Sequence, residues 1–555
     1  MTSHPLTSNN RGVAIIAVTM LMVVATLLGG VMLSQVVNDA QLSNRTYADK
    51  QALYLAESAK ERGYREILDD NTFMPANVGD PPTILDGAIG VDDGNVQAGT
   101  TNTYNLVVTR LSDSPAVVQM VATGTGANLN NRTVTVAAEV IRENVFVWNN
   151  AIFGGSGQTG GVLSGQAAIH GSVHLLGDGV GEGNNAITAI DLIGSTLIHN
   201  NYVGMPAELA ALVPDLPTQD FGGETDIATL NAKLRVKNGA VGVSGSAEIG
   251  EVNIIGNGIK ETMNGIYIET DSAATRWTGN KVVDGVPDPG SVQSDNGTNA
   301  LYDLGDAVSL PLLDEPYTDD DTGITYATYE TYFNEYSLAL PALTFDGTCS
   351  TATDLQAYFT ANPDPNVTFT TDGCSFTITQ TDVINGVPTT NTLTYTPPGT
   401  SKGTGTAYIE ADGMFTIDGD MVVGKKDLDF KYTGEATFYA TDSIDFHSNI
   451  LPNDNDFTSE GYVFGFMAKN DINLATGPGD SQLSMAGAFY AQDTIKSMKQ
   501  NEILGTFVCN YYDMGTNVPK IYQVPNLANN LPPGLIGSDP VWVTTGFAER
   551  YWRVD

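Results

Sequence analysis

The first seventy residues carry one helical pattern that changes character half-way along. From Gly12 to Asn38 no residue is charged, and Val13 to Leu33 is an apolar run. At ~1.5 Å per residue that run spans roughly 30 Å, the hydrocarbon thickness of one bilayer. No proline lies between Pro5 and Pro75, and past Gly12 the stretch holds only Gly29, Gly30 and Gly63 as glycines. The helix is therefore expected to continue unbroken to about residue 70. In its second half Ala52, Leu55, Ala56, Ala59, Gly63 and Ile67 recur at helical spacing. Lys50, Glu57, Ser58, Glu61 and Arg65 fall opposite. A stripe of small side chains admits a close neighbour, either the chain's own sheet or another helix.

Beyond the helix the period becomes two. Tyr104–Leu111, Ala116–Thr123 and Arg132–Ile141 read as strands separated by SDSP and GTGANLNN turns. A small antiparallel sheet lying over the stripe is the expected arrangement. From about residue 146, short strands punctuated by glycine dominate. A loose repeat follows in FYATDSI, FMAKNDI, FYAQDTI and FVCNYYDM, whose matched central residues are Ala440, Ala468, Ala491 and Cys509. Irregular spacing with a recurring small residue suits a β-solenoid; an irregular β-sandwich is the alternative. Residues 300–402, rich in Tyr, Asp and Pro, break the rhythm and read as an inserted lobe.

The expected fold class is α+β, mostly β. Residues 1–12 form a leader, 13–70 the long helix and 71–145 the small sheet. Residues 146–299 and 403–525 form the solenoid-like body around the 300–402 lobe, and 526–555 a C-terminal cap.

RGVAII, followed by ALYLAESAKERGYREIL, resembles the N-terminal region of PilX-type minor pilins and is similar to that of the K-type tip pseudopilin of type II secretion. The resemblance covers about residues 8–70, with a weaker echo to about 142. It implies a prepilin leader cut by prepilin peptidase between Gly12 and Val13. It also implies a helix held in the inner membrane, association with other pilins, and an exoplasmic body displayed at the cell surface or pilus tip. Typical pilins carry a glutamate at the fifth mature position; here that position is Ala17. The departure fits a tip or initiating subunit of a type IV pilus or related pseudopilus, not a bulk filament subunit.

Composition narrows the function classes. The chain has 555 residues and a net charge of −39, with near balance over the first seventy. A body so acidic is a poor binder of nucleic acid. Cys349 and Cys374 lie in turn-and-strand contexts suited to a disulfide, worth ~3 kcal/mol outside the cytoplasm; two buried thiols are the alternative. Cys509 reads as core.

Catalytic motifs dissolve on inspection, and no enzymatic function is expected. Gly155–Gly160 matches GxGxxG but leads into a strand pattern, not the helix a phosphate site needs. Gly399–Gly403 matches GxSxG without strand–turn–helix context. His170 and His174 fall on one face of a strand-like segment, ~13 Å apart, too far to share a metal. Asp319 with Asp321, and Asp454 with Asp456, offer hard oxygen ligands that suit Ca²⁺, or else are solvated acidic turns. Two other classes stay open on the sequence. One is a membrane-anchored adhesin or Ca²⁺-binding envelope protein. The other is a tethered solenoid carbohydrate-active enzyme, although nothing selects a carboxylate pair.

Overall fold

The computed structural model describes residues 11–69, 73–75, 77–88, 102–113, 116–126, 131–158, 160–163, 165–177, 188–269, 276–304, 308–319, 322–399, 403–453, 457, 462–477, 480–514, 519–537 and 541–555. The chain divides into two compact units, residues 1–144 with 542–555, and residues 145–541.

The first unit is built on helix α1, Arg11–Asp69, 59 residues without interruption. Its sheet comprises β1 (Thr83–Ala88), β2 (Thr103–Asp113), β3 (Ala116–Thr125) and β4 (Asn131–Val145), each antiparallel to the next. The small-residue stripe seats on this sheet. Ala52, Ala56, Ala59 and Ile67 are fully buried. A Cβ at Gly63 would strike Leu106, and one at Gly124 in β3 would strike the Ala52 carbonyl oxygen. Small residues on both surfaces let helix and strand approach backbone to backbone.

A fifth strand, Val541–Val554, lies beside β4. Thr133 and Asp555 exchange backbone bonds of 3.1 and 2.9 Å, the reciprocal pattern of an antiparallel pair. Arg550 forms an ion pair with Glu139. This corrects the expected C-terminal cap over residues 526–555: the last strand completes the small sheet. Its backbone pairs with the edge that β4 would otherwise expose.

The second unit is built from parallel strands whose apolar residues stack in register. One ladder reads Ile266, Leu234, Val173, Ile152, Phe507, Phe489, Phe466, Phe438, Phe415 and Leu338 from rung to rung. A second reads Ile249, Ile198, Ile169, Ile521, Ile503, Met485, Ile450, Phe430 and Ala407. A third joins Tyr512, Ile495, Ile472, Ile444, Met421 and Leu343. The rung order is not the chain order. Ile152–Gly154 enters mid-ladder, between Val173–Leu175 and Phe507–Cys509. The chain steps outward from there, then returns from the opposite end.

The return is made by residues 301–304, 308–319 and 322–337, which run along the outer side of the first ladder. The Tyr302 hydroxyl bonds His174, Pro311 accepts from the Tyr490 hydroxyl at 2.6 Å, and Glu330 accepts from Tyr439 and Lys469. Val463–Ala468 is buried at every position, as parallel strands covered on both faces are; Pro532 and Leu535 lie over Gly465 in it. Residues 300–402 are therefore not a separate lobe. Their tyrosines cover the ladder, and Leu338–Phe345 is itself a rung. The remainder, helix Ser350–Ala361 with strands Val367–Asp372, Ser375–Ile384 and Val387–Thr396, closes that end of the ladder by antiparallel pairing.

Candidate functional site

The two halves of α1 meet different surroundings. Every residue from Ile15 to Tyr47 is exposed, with Leu21 at 72% and Ile15 at 67%. No charge appears until Asp39. The threonine hydroxyls here are turned inward. The Thr19 hydroxyl donates to the Ile15 carbonyl at 2.6 Å and that of Thr26 to the Met22 carbonyl at 2.7 Å. A hydroxyl satisfied within its own helix can enter an apolar phase without an orphaned donor. This half is long and apolar enough to cross a membrane. It can equally pack against other apolar helices, and Ala17 offers no carboxylate to a neighbour there.

The second half is closed by its own unit. Lys60 lies 3.2 Å from Glu549, the Tyr64 hydroxyl donates to Glu549 at 2.9 Å, and Tyr64 packs on Phe547 with centroids 4.3 Å apart. Burial alone would raise the Glu549 carboxyl; the Tyr64 hydroxyl and Lys60 outweigh it and hold it below its usual range. Burial first, and Glu549 next, push the Tyr64 hydroxyl upward. Arg132 of β4 reaches Asp49 at 2.6 Å.

The predicted site residues scatter. Gly12 and Val13 lie in the first turns of α1, their side chains outside the described residues, as is the leader before Arg11. Cys349 and Cys374 are joined in a disulfide, with Cα atoms 4.4 Å apart, tying the start of helix Ser350–Ala361 to the turn between two strands. Asp319 is buried and accepts from the Thr322 hydroxyl at 2.6 Å, closing a tight turn. Asp321, Asp454 and Asp456 lie outside the described residues. Among the described residues no group of three or more His, Cys, Asp or Glu is placed to hold a metal.

The GxGxxG loop is engaged by the protein itself: the Gly157 amide donates to Asn510 at 2.8 Å. His170 and His174 do not share a face. They sit on different ladders, separated by a corner at Gly171, whose φ of 138° favours glycine. His170 instead stacks between His199 and Tyr522, at 4.7 and 4.6 Å. Burial, then the neighbouring His199, lowers His170 to about 3; burial lowers His199 to about 4. These histidines are neutral core groups. The stack was invisible in sequence because its members come from three distant rungs.

A long apolar N-terminal helix, seated by its second half on a small antiparallel sheet and followed by a large β body, defines a type IV pilin-like fold. Among solved structures the chain is similar to the competence-associated pilin ComZ from Thermus thermophilus. The TM-score is 0.50 and the identity 18%, over 92% of this chain and 97% of that one. No protein-family model matches the chain, and no curated protein matches it. The likeness is one of fold, and it does not single out the PilX type.

Proposed function

We propose that this chain is a minor subunit of a type IV pilus or related secretion pseudopilus, taking the tip or initiating position and displaying unit 2 outside the cell. The observation that carries this reading is the asymmetry of α1: its second half is closed by its own sheet, and its first half, uncharged from Gly12 to Asn38, is exposed with none of the described residues packed upon it. Such a helix is stable in a membrane or among other pilin helices. On this reading prepilin peptidase cuts between Gly12 and Val13, α1 holds the subunit in the inner membrane, and it then packs with other pilins. Unit 2 is read as a β-solenoid whose work is display, without catalysis.

Two physical arguments favour the tip. A filament position that buries a neighbour's terminal amine needs a carboxylate, because an unpaired buried charge is costly, and Ala17 supplies none. A unit spanning residues 145–541 would also crowd copies stacked at each small axial step. Mass spectrometry of the mature N-terminus, with quantitative proteomics of sheared filaments, tests the proposal. A chain beginning at Val13 and present far below the major subunit is expected. An intact leader, or abundance near that of the major subunit, would contradict it.

A further inference from the structure

We propose that the outward face of the three-strand sheet at the end of unit 2 is a docking surface for a neutral, hydroxyl-rich polysaccharide. Strand register sets threonines side by side. Thr370, Thr377 and Thr394 form one row; Thr368, Thr379 and Thr392 form the next. Thr381 and Thr390 begin a third. Neighbouring strands lie about 4.8 Å apart and alternate residues about 6.8 Å apart along each strand, so the hydroxyls form a regular grid. Each can donate and accept. The Thr377 and Thr394 hydroxyls already bond each other at 3.1 Å, which restricts their rotamers.

The grid is held from behind. Phe376, Ile378, Leu393 and Tyr395 on the opposite face are buried, and Phe359 of helix Ser350–Ala361 stacks on Phe369 at 5.5 Å. The Cys349–Cys374 disulfide fixes the turn between the first two strands. A binding surface on rigid, backed strands loses little entropy when occupied.

Charge and border chemistry select the occupant. In a chain of net charge −39, these eight threonine positions carry no charge, so the grid itself offers hydroxyl groups and no ion pair. The rows meet Glu410 and Asp412 on the adjoining strand, the first continuing to Thr433 beyond it, and Tyr408, 48% exposed, stands beside Thr396. Carboxylates accept hydrogen bonds from sugar hydroxyls, and an exposed tyrosine offers a sugar ring a flat apolar face. That border favours an extended glycan over ordered water, which a wholly uncharged grid would suit as well. The assignment stands independently of how α1 assembles.

The test uses the full chain in detergent micelles, sedimented with microcrystalline cellulose, chitin or insoluble starch. Retention on at least one polysaccharide is expected. The quadruple variant Thr377→Val, Thr379→Val, Thr392→Val, Thr394→Val keeps the β-branched shape and removes four hydroxyls, and at least a tenfold fall in retention is expected. Glu410→Gln is expected to weaken retention less. Unchanged thermal unfolding and an intact disulfide would exclude misfolding of the variant. Failure of the wild-type chain to bind any of the three, or equal retention by the quadruple variant, would overturn the proposal. So would partition into growing ice without polysaccharide retention, which would reassign the grid to ordered water.

Discussion

The two halves of α1 are continuous in backbone and opposite in setting. The first presents Ile, Leu, Val and Met side chains all round and is exposed throughout. The second presents a narrow stripe of alanine and glycine and is buried along it. Helical pattern alone does not distinguish a helix that serves its own fold from one that serves an assembly. Side-chain size does. A stripe of small residues meets a backbone at close range, here Gly124 against Ala52, and leaves no room for an exchangeable partner. Large apolar residues around the full circumference have no single seat, so they suit a membrane or a helical bundle.

The largest expected effect falls on the first half. Leu21→Arg with Leu27→Arg places two charges in the apolar run, at about 3 kcal/mol each for insertion. Nearly complete loss of the protein from the membrane fraction is expected, with the unfolding of unit 1 unchanged. Loss of the unit 1 fold instead would erase the distinction between the halves.

Acid should separate the helix seat from the body. Below pH 6.5 the unfolded chain binds protons at His170 and His199. The folded chain refuses them until about pH 3 and about pH 4, because burial disfavours the charged rings. The unfolded state thus holds more protons in that window, and unit 2 loses stability as pH falls through it, on the order of 3 kcal/mol for each of the two histidines by pH 4. Unit 1 has no histidine among its described residues. Its unfolding should stay nearly flat from pH 6.5 to about pH 4.5, as two transitions followed by hydrogen exchange would report. His199→Gln should reduce the slope for unit 2 alone.

Gly124→Leu drives a side chain onto the Ala52 backbone and should cost unit 1 about 2 kcal/mol in denaturant unfolding. Ala17→Leu, on the exposed half, should leave unit 1 within about 0.5 kcal/mol of the parent. The smallest effect belongs to Glu549. Its carboxyl is held low in the folded state, so its contribution is present above pH 4.5 and is lost as pH falls through the lowered value. The group is mostly exposed, and screening leaves ~0.5 kcal/mol. Glu549→Gln should remove that acid dependence from unit 1 with little other change.

Much of this contrast was legible in the sequence because it is local. The uncharged run, the absence of proline and the 52–67 stripe all lie within one helix. The strands expected at 104–111, 116–123 and 132–141 fall inside β2, β3 and β4. The repeat was legible too: Ala440, Ala468, Ala491 and Cys509 occupy consecutive rungs in register. What was hidden depends on pairing over long sequence distances. The fifth strand pairs Asp555 with Thr133, and nothing within Val541–Val554 names its partner. Leu338–Phe345 looked like part of a lobe because tyrosine- and proline-rich residues precede it. Their role as a strap appears only once Tyr439 and Tyr490 stand on either side of Met467 in the ladder, facing Glu330 and Pro311. The threonine grid needs the register of three strands before its rows align.

The central claim is that the first half of α1, and not the second, is the surface offered to other subunits. Photo-crosslinking in living cells tests it most directly, with a photoreactive residue placed singly at Leu27 or at Ala56. The account predicts adducts to other pilin subunits from position 27, and from position 56 only crosslinks within the chain to the β2–β3 sheet. Intermolecular adducts of equal yield from both positions, or none from position 27 in cells that assemble filaments, would contradict it.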